Sequence, residues 1–153
     1  MADKYLYNNS GVVTEREATT SSAGAGDAGE IIALDAAGRI DSSMMPTGIA
    51  ADTASIVTSE DLSAGDFVNI YDNASTPTCR KADAGNDFAA HGFVIAGTTS
   101  GQNATVYFEG SNDQVTGQTA GIVYLSAATA GDVTATAPSG TGNLVQRLGV
   151  ATS

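Results

Sequence analysis

Hydrophobic and polar residues are arranged differently in the two parts of this chain. Residues 1–48 are rich in Gly, Ala, Ser and Thr, and their apolar residues concentrate in one island over residues 31–46. From about residue 50 onward, short apolar runs alternate with Gly-rich turns, which is typical of compact all-β domains. The pattern therefore predicts an extended N-terminal arm over residues 1–48 and a β-rich domain over residues 49–153.

The β-rich domain contains candidate strands at the spacing of a compact β-sandwich or a small β-barrel. They cover residues 53–58, 66–71, 78–82, 91–97, 104–109, 121–126, 132–136 and 144–151. Several are apolar on both faces, as where Val68 and Ile70 alternate with Phe67 and Tyr71. Such strands indicate either a subunit interface in addition to a core or a small closed barrel.

The apolar island of the arm is the main candidate for a binding segment. A turn is predicted at residues 35–38, and a polar, Gly-rich linker at residues 19–29 precedes the island. Burying the apolar side chains does not by itself offset the entropy lost in ordering the segment, so we expect main-chain hydrogen bonds to a partner's sheet to contribute. The predicted partner-binding anchors are Ile31, Ile32, Leu34, Ile40, Met44 and Met45.

Charge narrows the choice of partners. The chain has 17 Asp and Glu against 6 Lys and Arg, a formal net charge of −11 at pH 7. Phosphate backbones and anionic membranes are repelled by such a surface, so nucleic acid and membranes are not expected as partners. The acidity favours solubility or steering toward a basic protein surface. Without a secretory signal or a bilayer-spanning stretch, synthesis and retention in the cytoplasm are expected.

Single reactive side chains do not assemble into a predicted catalytic site. The lone Cys79 is expected to be a small, semi-buried strand residue, and the lone His91 to serve at a turn or strand edge. Gly24 to Gly29 matches a dinucleotide-binding spacing, but the flanking strand and helix are not predicted, so a flexible linker is favoured. We therefore predict a non-enzymatic protein with no catalytic, cofactor-binding or metal-binding residues.

Two further groups have a structural and a functional interpretation. Residues 83–87 concentrate oxygen donors around a glycine and are interpreted as a turn in preference to a Ca²⁺ loop. Tyr71, Tyr107 and Tyr124 could form a sugar-stacking platform, but a role in a core or interface is favoured. An enzyme acting on surface polysaccharide would need a paired set of carboxylates, which the sequence does not mark.

Two stretches resemble known phage proteins. Residues 29–46, GEIIALDAAGRIDSSMMP, resemble a linker common in virion proteins of tailed phages. Residues 59–71, SEDLSAGDFVNIY, followed by HGFV at 91–94, YLS at 124–126 and QRLGVA at 146–151, resemble phage capsid decoration proteins, also called cement or head fibre proteins. The resemblance spans most of residues 29–152.

The resemblance implies a structural virion protein. It implies a β domain that forms homotrimers on the capsid exterior after synthesis in the host cytoplasm, with arms that clamp neighbouring subunits of the major capsid protein. The same linker occurs in tail fibres, so a tail-fibre or host-receptor-binding module is the alternative.

Overall fold

The computed structural model describes residues 4–45 and 52–152. The chain divides into two compact units, residues 1–50 and residues 51–153. The boundary predicted between residues 48 and 49 lies outside the described residues, and the two units are considered separately below.

The described secondary structure is almost entirely β. The strands are β1 (Lys4–Asn9), β2 (Val12–Glu17), β3 (Thr53–Thr58), β4 (Phe67–Asn73), β5 (Thr76–Lys81), β6 (Gly92–Phe93), β7 (Asn103–Tyr107), β8 (Gly121–Leu125), β9 (Val133–Thr134) and β10 (Arg147–Ala151). The helical segments among the described residues are two short 3₁₀ turns, Ala25–Asp27 and Ser42–Met44. The predicted all-β class is confirmed.

Five strands of the second unit form a closed barrel in the order β3-β5-β4-β6-β7. Its pairings are antiparallel except for β3 with β5, where Val57 pairs with Thr78 and Thr58 with Cys79. Side chains of alternate strand residues fill the interior, because successive residues of a strand point to opposite faces. The buried interior includes Val68, Val94 and Val106.

A second sheet, in the order β10-β8-β9, creates a second core outside the barrel. The buried residues of this core are Ala82, Ala84 and Leu125, and Phe67 packs against them. Strand β4 is therefore apolar on both faces because Val68 lies inside the barrel while Phe67 faces the second core. The small-barrel interpretation is confirmed, whereas a subunit interface stays a prediction.

Three predicted strands are clearly shorter than expected, and one of them, predicted at residues 144–151, is a strand only at Arg147–Ala151. The segment 91–97 is a strand only at Gly92–Phe93, although the N–H of Val94 still donates to the carbonyl of Asp66 on the β4 side at 3.0 Å. The segment 132–136 is a strand only at Val133–Thr134.

The first unit contains a hairpin that the apolar pattern did not predict. Strands β1 and β2 pair antiparallel around a two-residue turn in which Ser10 and Gly11 have φ of 52° and 94°. Two consecutive positive φ values define the turn that matches the twist of hairpin strands. In the sequence, this hairpin is marked only by the polar run from Asn8 to Gly11 between two short apolar runs.

The barrel closes where β6 and β7 approach each other most closely, at Gly92. A methyl group there would lie 2.5 Å from the carbonyl oxygen of Tyr107 and 2.7 Å from Cγ1 of Val106. We expect Gly92→Ala to lower the free energy of unfolding by about 1–3 kcal/mol or more. Gly149→Ala is the matched control, since nothing lies within 4 Å of its added methyl. Equal losses in urea unfolding for the two variants would contradict this account.

The β4–β5 hairpin uses an unfavourable pair of turn residues. Ala74 and Ser75 adopt φ of 50° and 66°, a region that costs L-residues roughly 1–2 kcal/mol each. Replacing them with Asn and Gly, the preferred residues for this turn, is expected to raise the free energy of unfolding by about 1 kcal/mol. Ser139→Gly, at an exposed position without positive φ, is the control and is not expected to stabilise. The measurement is the thermal unfolding of both variants, and an Asn–Gly variant no more stable than the parent chain would contradict the prediction.

Candidate functional site

The predicted anchors lie on the surface of the first unit. Ile31, Ile32 and Leu34 belong to one extended segment, residues 30–34, which we call the strap, and are 52%, 55% and 56% exposed. Ile40 and Met45 are also exposed, while Met44 is half-buried. Whether these side chains bind a partner stays a prediction, but the strap places three of them side by side in the chain.

The first unit has no buried residue anywhere between residues 4 and 45. This agrees with the expectation, from composition, that the arm has no core of its own. Hydrophobic burial therefore contributes little to its internal structure. Hydrogen bonds and ion pairs must supply most of the order seen there.

Thr19 holds the strap through two main-chain hydrogen bonds. The N–H of Thr19 donates to the carbonyl of Ile31 at 2.9 Å, and the N–H of Ala33 donates to the carbonyl of Thr19 at 2.8 Å. In an extended chain, main-chain groups of successive residues point to opposite sides. Because Ile31 and Ala33 face Thr19, the main-chain groups of Ile32 point to the other edge of the strap.

Three side chains fasten the strap to the hairpin. The Glu30 carboxylate accepts from the hydroxyl of Tyr5 at 3.0 Å and forms an ion pair with Arg16. We call Tyr5, Arg16 and Glu30 the latch. The Arg16 guanidinium also lies over the ring of Tyr7, 5.2 Å from its centroid. The latch joins both hairpin strands to the start of the strap.

The latch also changes the acidity of Tyr5. Desolvation and the hydrogen bond to the Glu30 carboxylate raise the pKa of Tyr5 above its ordinary value of 10.0. A raised pKa means that the folded state favours the protonated phenol. Tyr5 therefore contributes to the stability of the folded state at neutral pH, and this contribution is lost as the pH rises through its raised pKa.

A second set of contacts holds the region around Met44. The N–H of Ser22 donates to Oγ of Ser43 at 2.7 Å, and Asp41 Oδ1 accepts from the hydroxyl and the N–H of Ser43. These hydrogen bonds, the hydroxyl first, lower the pKa of Asp41. Asp41 thereby caps the 3₁₀ turn Ser42–Met44 and keeps Met44 and Met45 at a defined place.

The Gly-rich segment of the first unit is folded locally. Residues Ala25–Asp27 form a 3₁₀ turn, and Asp27 Oδ2 accepts from the N–H of Ala23 at 2.6 Å. Among residues 4–45, no strand leads directly into this turn, since β2 ends at Glu17, and no α-helix follows it, so the glycine spacing does not build a phosphate-binding loop. The predicted turn at residues 35–38 is confirmed, with Gly38 at φ 75°.

Cys79 and His91 have structural roles in the second unit. Cys79 is fully buried in the barrel, and burial raises the pKa of its thiol. His91, directly before β6, accepts at Nδ1 from the N–H of Ile70 at 2.9 Å. This main-chain group of β4 thereby has a hydrogen-bond partner where β6 no longer pairs with β4. The predicted strand-edge role of His91 is confirmed.

The other two candidate groups also contribute to packing and turns. Asp83 accepts from the N–H of Gly85 at 2.7 Å and from the side-chain amide of Asn86 at 2.6 Å, as a turn requires. Tyr107 stacks on Phe93 with ring centroids 5.6 Å apart, and Tyr71 is covered by Arg80 at 4.4 Å. No group of three or more metal-ligating side chains lies together in the described parts of the chain.

A feature that the sequence pattern did not reveal is a cleft of about 960 Å³ in the second unit. It lies between the outer wall of the barrel at β4 and β6, the loop at residues 109–118, and the second sheet, which contributes Val123 of β8, Val133 of β9 and strand β10. Its lining comes from segments far apart in the sequence. No local motif therefore marks it.

The latch predicts a change in amide exchange. Glu30→Gln removes the charge that Arg16 and Tyr5 bind, so we expect the amides of Thr19 and Ala33 to exchange faster with deuterated solvent. Glu17→Gln, at an exposed carboxylate of the same hairpin, is the control and is not expected to alter these amides. Unchanged exchange in Glu30→Gln would show that the latch does not hold the strap.

No helix within residues 4–45 and 52–152 is long and apolar enough to cross a membrane. Comparison with known proteins found no matching family model, no matching curated protein and no matching solved structure.

Proposed function

We propose that this protein is a non-enzymatic structural component of a tailed-phage virion, which binds the outer surface of the capsid and stabilises it. The observation that carries the proposal is the strap. It exposes three large aliphatic side chains on a unit that buries none of its described residues. Large aliphatic groups gathered on a defined, coreless segment are suited to burial against another protein.

The two units have complementary tasks in this proposal. The second unit, with its barrel and second core, is the stable platform. The strap and the neighbouring anchors Ile40, Met44 and Met45 bind across joints between neighbouring major capsid proteins. The edge of the strap opposite Thr19 is available for main-chain hydrogen bonds to a capsid sheet.

Several arms that act together strengthen contacts that are individually weak. As a homotrimer, the protein would present several arms at once, so that after one arm binds, the others bind at high effective concentration. Release of a capsid subunit would then require several contacts to break together. The resemblance of residues 59–71, 91–94, 124–126 and 146–151 to capsid decoration proteins supports the capsid exterior, whereas residues 29–46 resemble a linker of virion proteins in general.

Capsids that lack this protein provide the test. We compare the full chain, a variant lacking residues 1–48, and the strap variant Ile31→Ser, Ile32→Ser, Leu34→Ser. Each lost aliphatic contact weakens binding by about 1.5–3 kcal/mol if fully buried, so both variants are expected to bind at least roughly tenfold more weakly. Occupancy is measured by sedimentation with capsids, and protection by the temperature at which capsids open.

The matched control is Val12→Ser, Val13→Ser, which removes exposed apolar side chains of the same unit outside the predicted anchors. It is expected to bind and protect like the full chain. A strap variant that still saturates capsids and protects them from heat would refute the proposal. Binding to host cells or glycans without affinity for capsids would instead favour the tail-fibre alternative.

A further inference from the structure

We propose that the cleft of the second unit binds an extended, positively charged peptide segment of a partner protein, which adds as a strand along β10. This site is separate from the strap and does not depend on the proposed capsid function. Three properties of the cleft lead to it: a free strand edge, an apolar floor and an acidic surrounding.

The free edge is visible in how β10 borders the cleft. All residues from Gln146 to Thr152 line it, whereas β8 contributes only Val123. Alternate residues of a strand point to opposite faces, so a strand that turned one face to the cleft would contribute every second residue. The continuous run means that the edge of β10 faces the cleft, and β10 pairs only with β8 among the described strands.

One end of the cleft already shows the bonding that a strand would make. Gln146 Oε1 accepts from the N–H of Ala90 at 2.7 Å, and Gln146 Nε2 donates to the carbonyl of Ala90 at 2.8 Å. The side-chain amide thus makes the pair of hydrogen bonds typical of a neighbouring strand. Beyond Gln146 the main chain of β10 continues along the cleft, where a peptide backbone could take over that role.

The opposite wall supplies apolar contacts. Phe67 and Phe93 lie with ring centroids 6.0 Å apart, and Phe108, exposed at the rim, extends the aromatic surface. Val123 and Val133 complete the floor. Peptides bound by strand addition gain affinity from main-chain hydrogen bonds and specificity from the surface that their alternate side chains meet, which here is apolar.

The charged residues of the second unit indicate which charge the bound peptide should carry. Residues 51–153 contain ten acidic and three basic residues, and Glu109 and Asp113 lie in the loop that borders the cleft. Of the basic residues, Arg80 is packed against Tyr71 and Phe88, and Lys81 pairs with Asp66 at 3.2 Å. The third, Arg147, is exposed on β10 and lines the cleft. Glu109 and Asp113 outnumber the single Arg147 along the cleft, in a unit with an excess of negative charge, and a Lys- or Arg-containing segment complements this balance.

The test uses the full chain and short synthetic peptides in which Val alternates with Lys, with Glu replacing Lys in a matched set. We expect the Val–Lys peptides to bind, more weakly at high salt, and the Val–Glu peptides not to bind. Chemical-shift changes should concentrate at residues 146–152. Phe108→Ala and Glu109→Lys should each weaken binding roughly tenfold, as measured by calorimetry.

The controls are Val145→Ala and Asp72→Lys, which remove an exposed apolar side chain and reverse an exposed charge outside the cleft. Both should bind the Val–Lys peptides like the parent chain. Absent binding, or equal weakening by the control substitutions, overturns the proposal. Self-association that Phe108→Ala abolishes would also overturn it, because the occupant would then be a second copy of this chain. Capsid binding by the strap is measured in a separate experiment. Either proposal can therefore fail while the other stands.

Discussion

The approach of β6 to β7 at Gly92 is the constraint on which the second unit depends. Strand β6 pairs with β7 through a single residue pair, Phe93 with Tyr107, so the barrel closes over a very short contact. That contact is possible because Gly92 has no side chain to separate the two backbones. The same approach places Phe93 between Phe67 and Tyr107, and of these three rings Phe67 and Phe93 line the cleft. The residue pair that closes the barrel thus also contributes Phe93 to the lining of the cleft.

The first unit is ordered by a different kind of interaction. Its described residues bury no side chain, and its contacts are hydrogen bonds and ion pairs such as those of Glu30 with Tyr5 and Arg16. Partly exposed polar contacts of this kind are individually weak and are screened by salt. The first unit therefore resists deformation less than the barrel does. A segment that must adjust to a partner surface benefits from that difference.

Much of the second unit could be predicted from sequence because period-2 patterns report burial directly. Strand β3 matches its prediction at both ends, and the doubly apolar β4 correctly indicated cover on both faces. The β1–β2 hairpin was missed because its apolar residues are exposed and its pairing depends on a turn. The latch and the cleft were missed because each joins residues distant in sequence, which no local pattern can bring together.

The buried position of Cys79 has a consequence for where this protein can work. As the chain's lone cysteine, it has no partner for an intramolecular disulfide, and the barrel wall shields its thiol from solvent. No covalent bond in the second unit therefore changes when the surroundings turn from reducing to oxidising. The covalent structure of the folded domain is therefore the same in reducing and in oxidising surroundings.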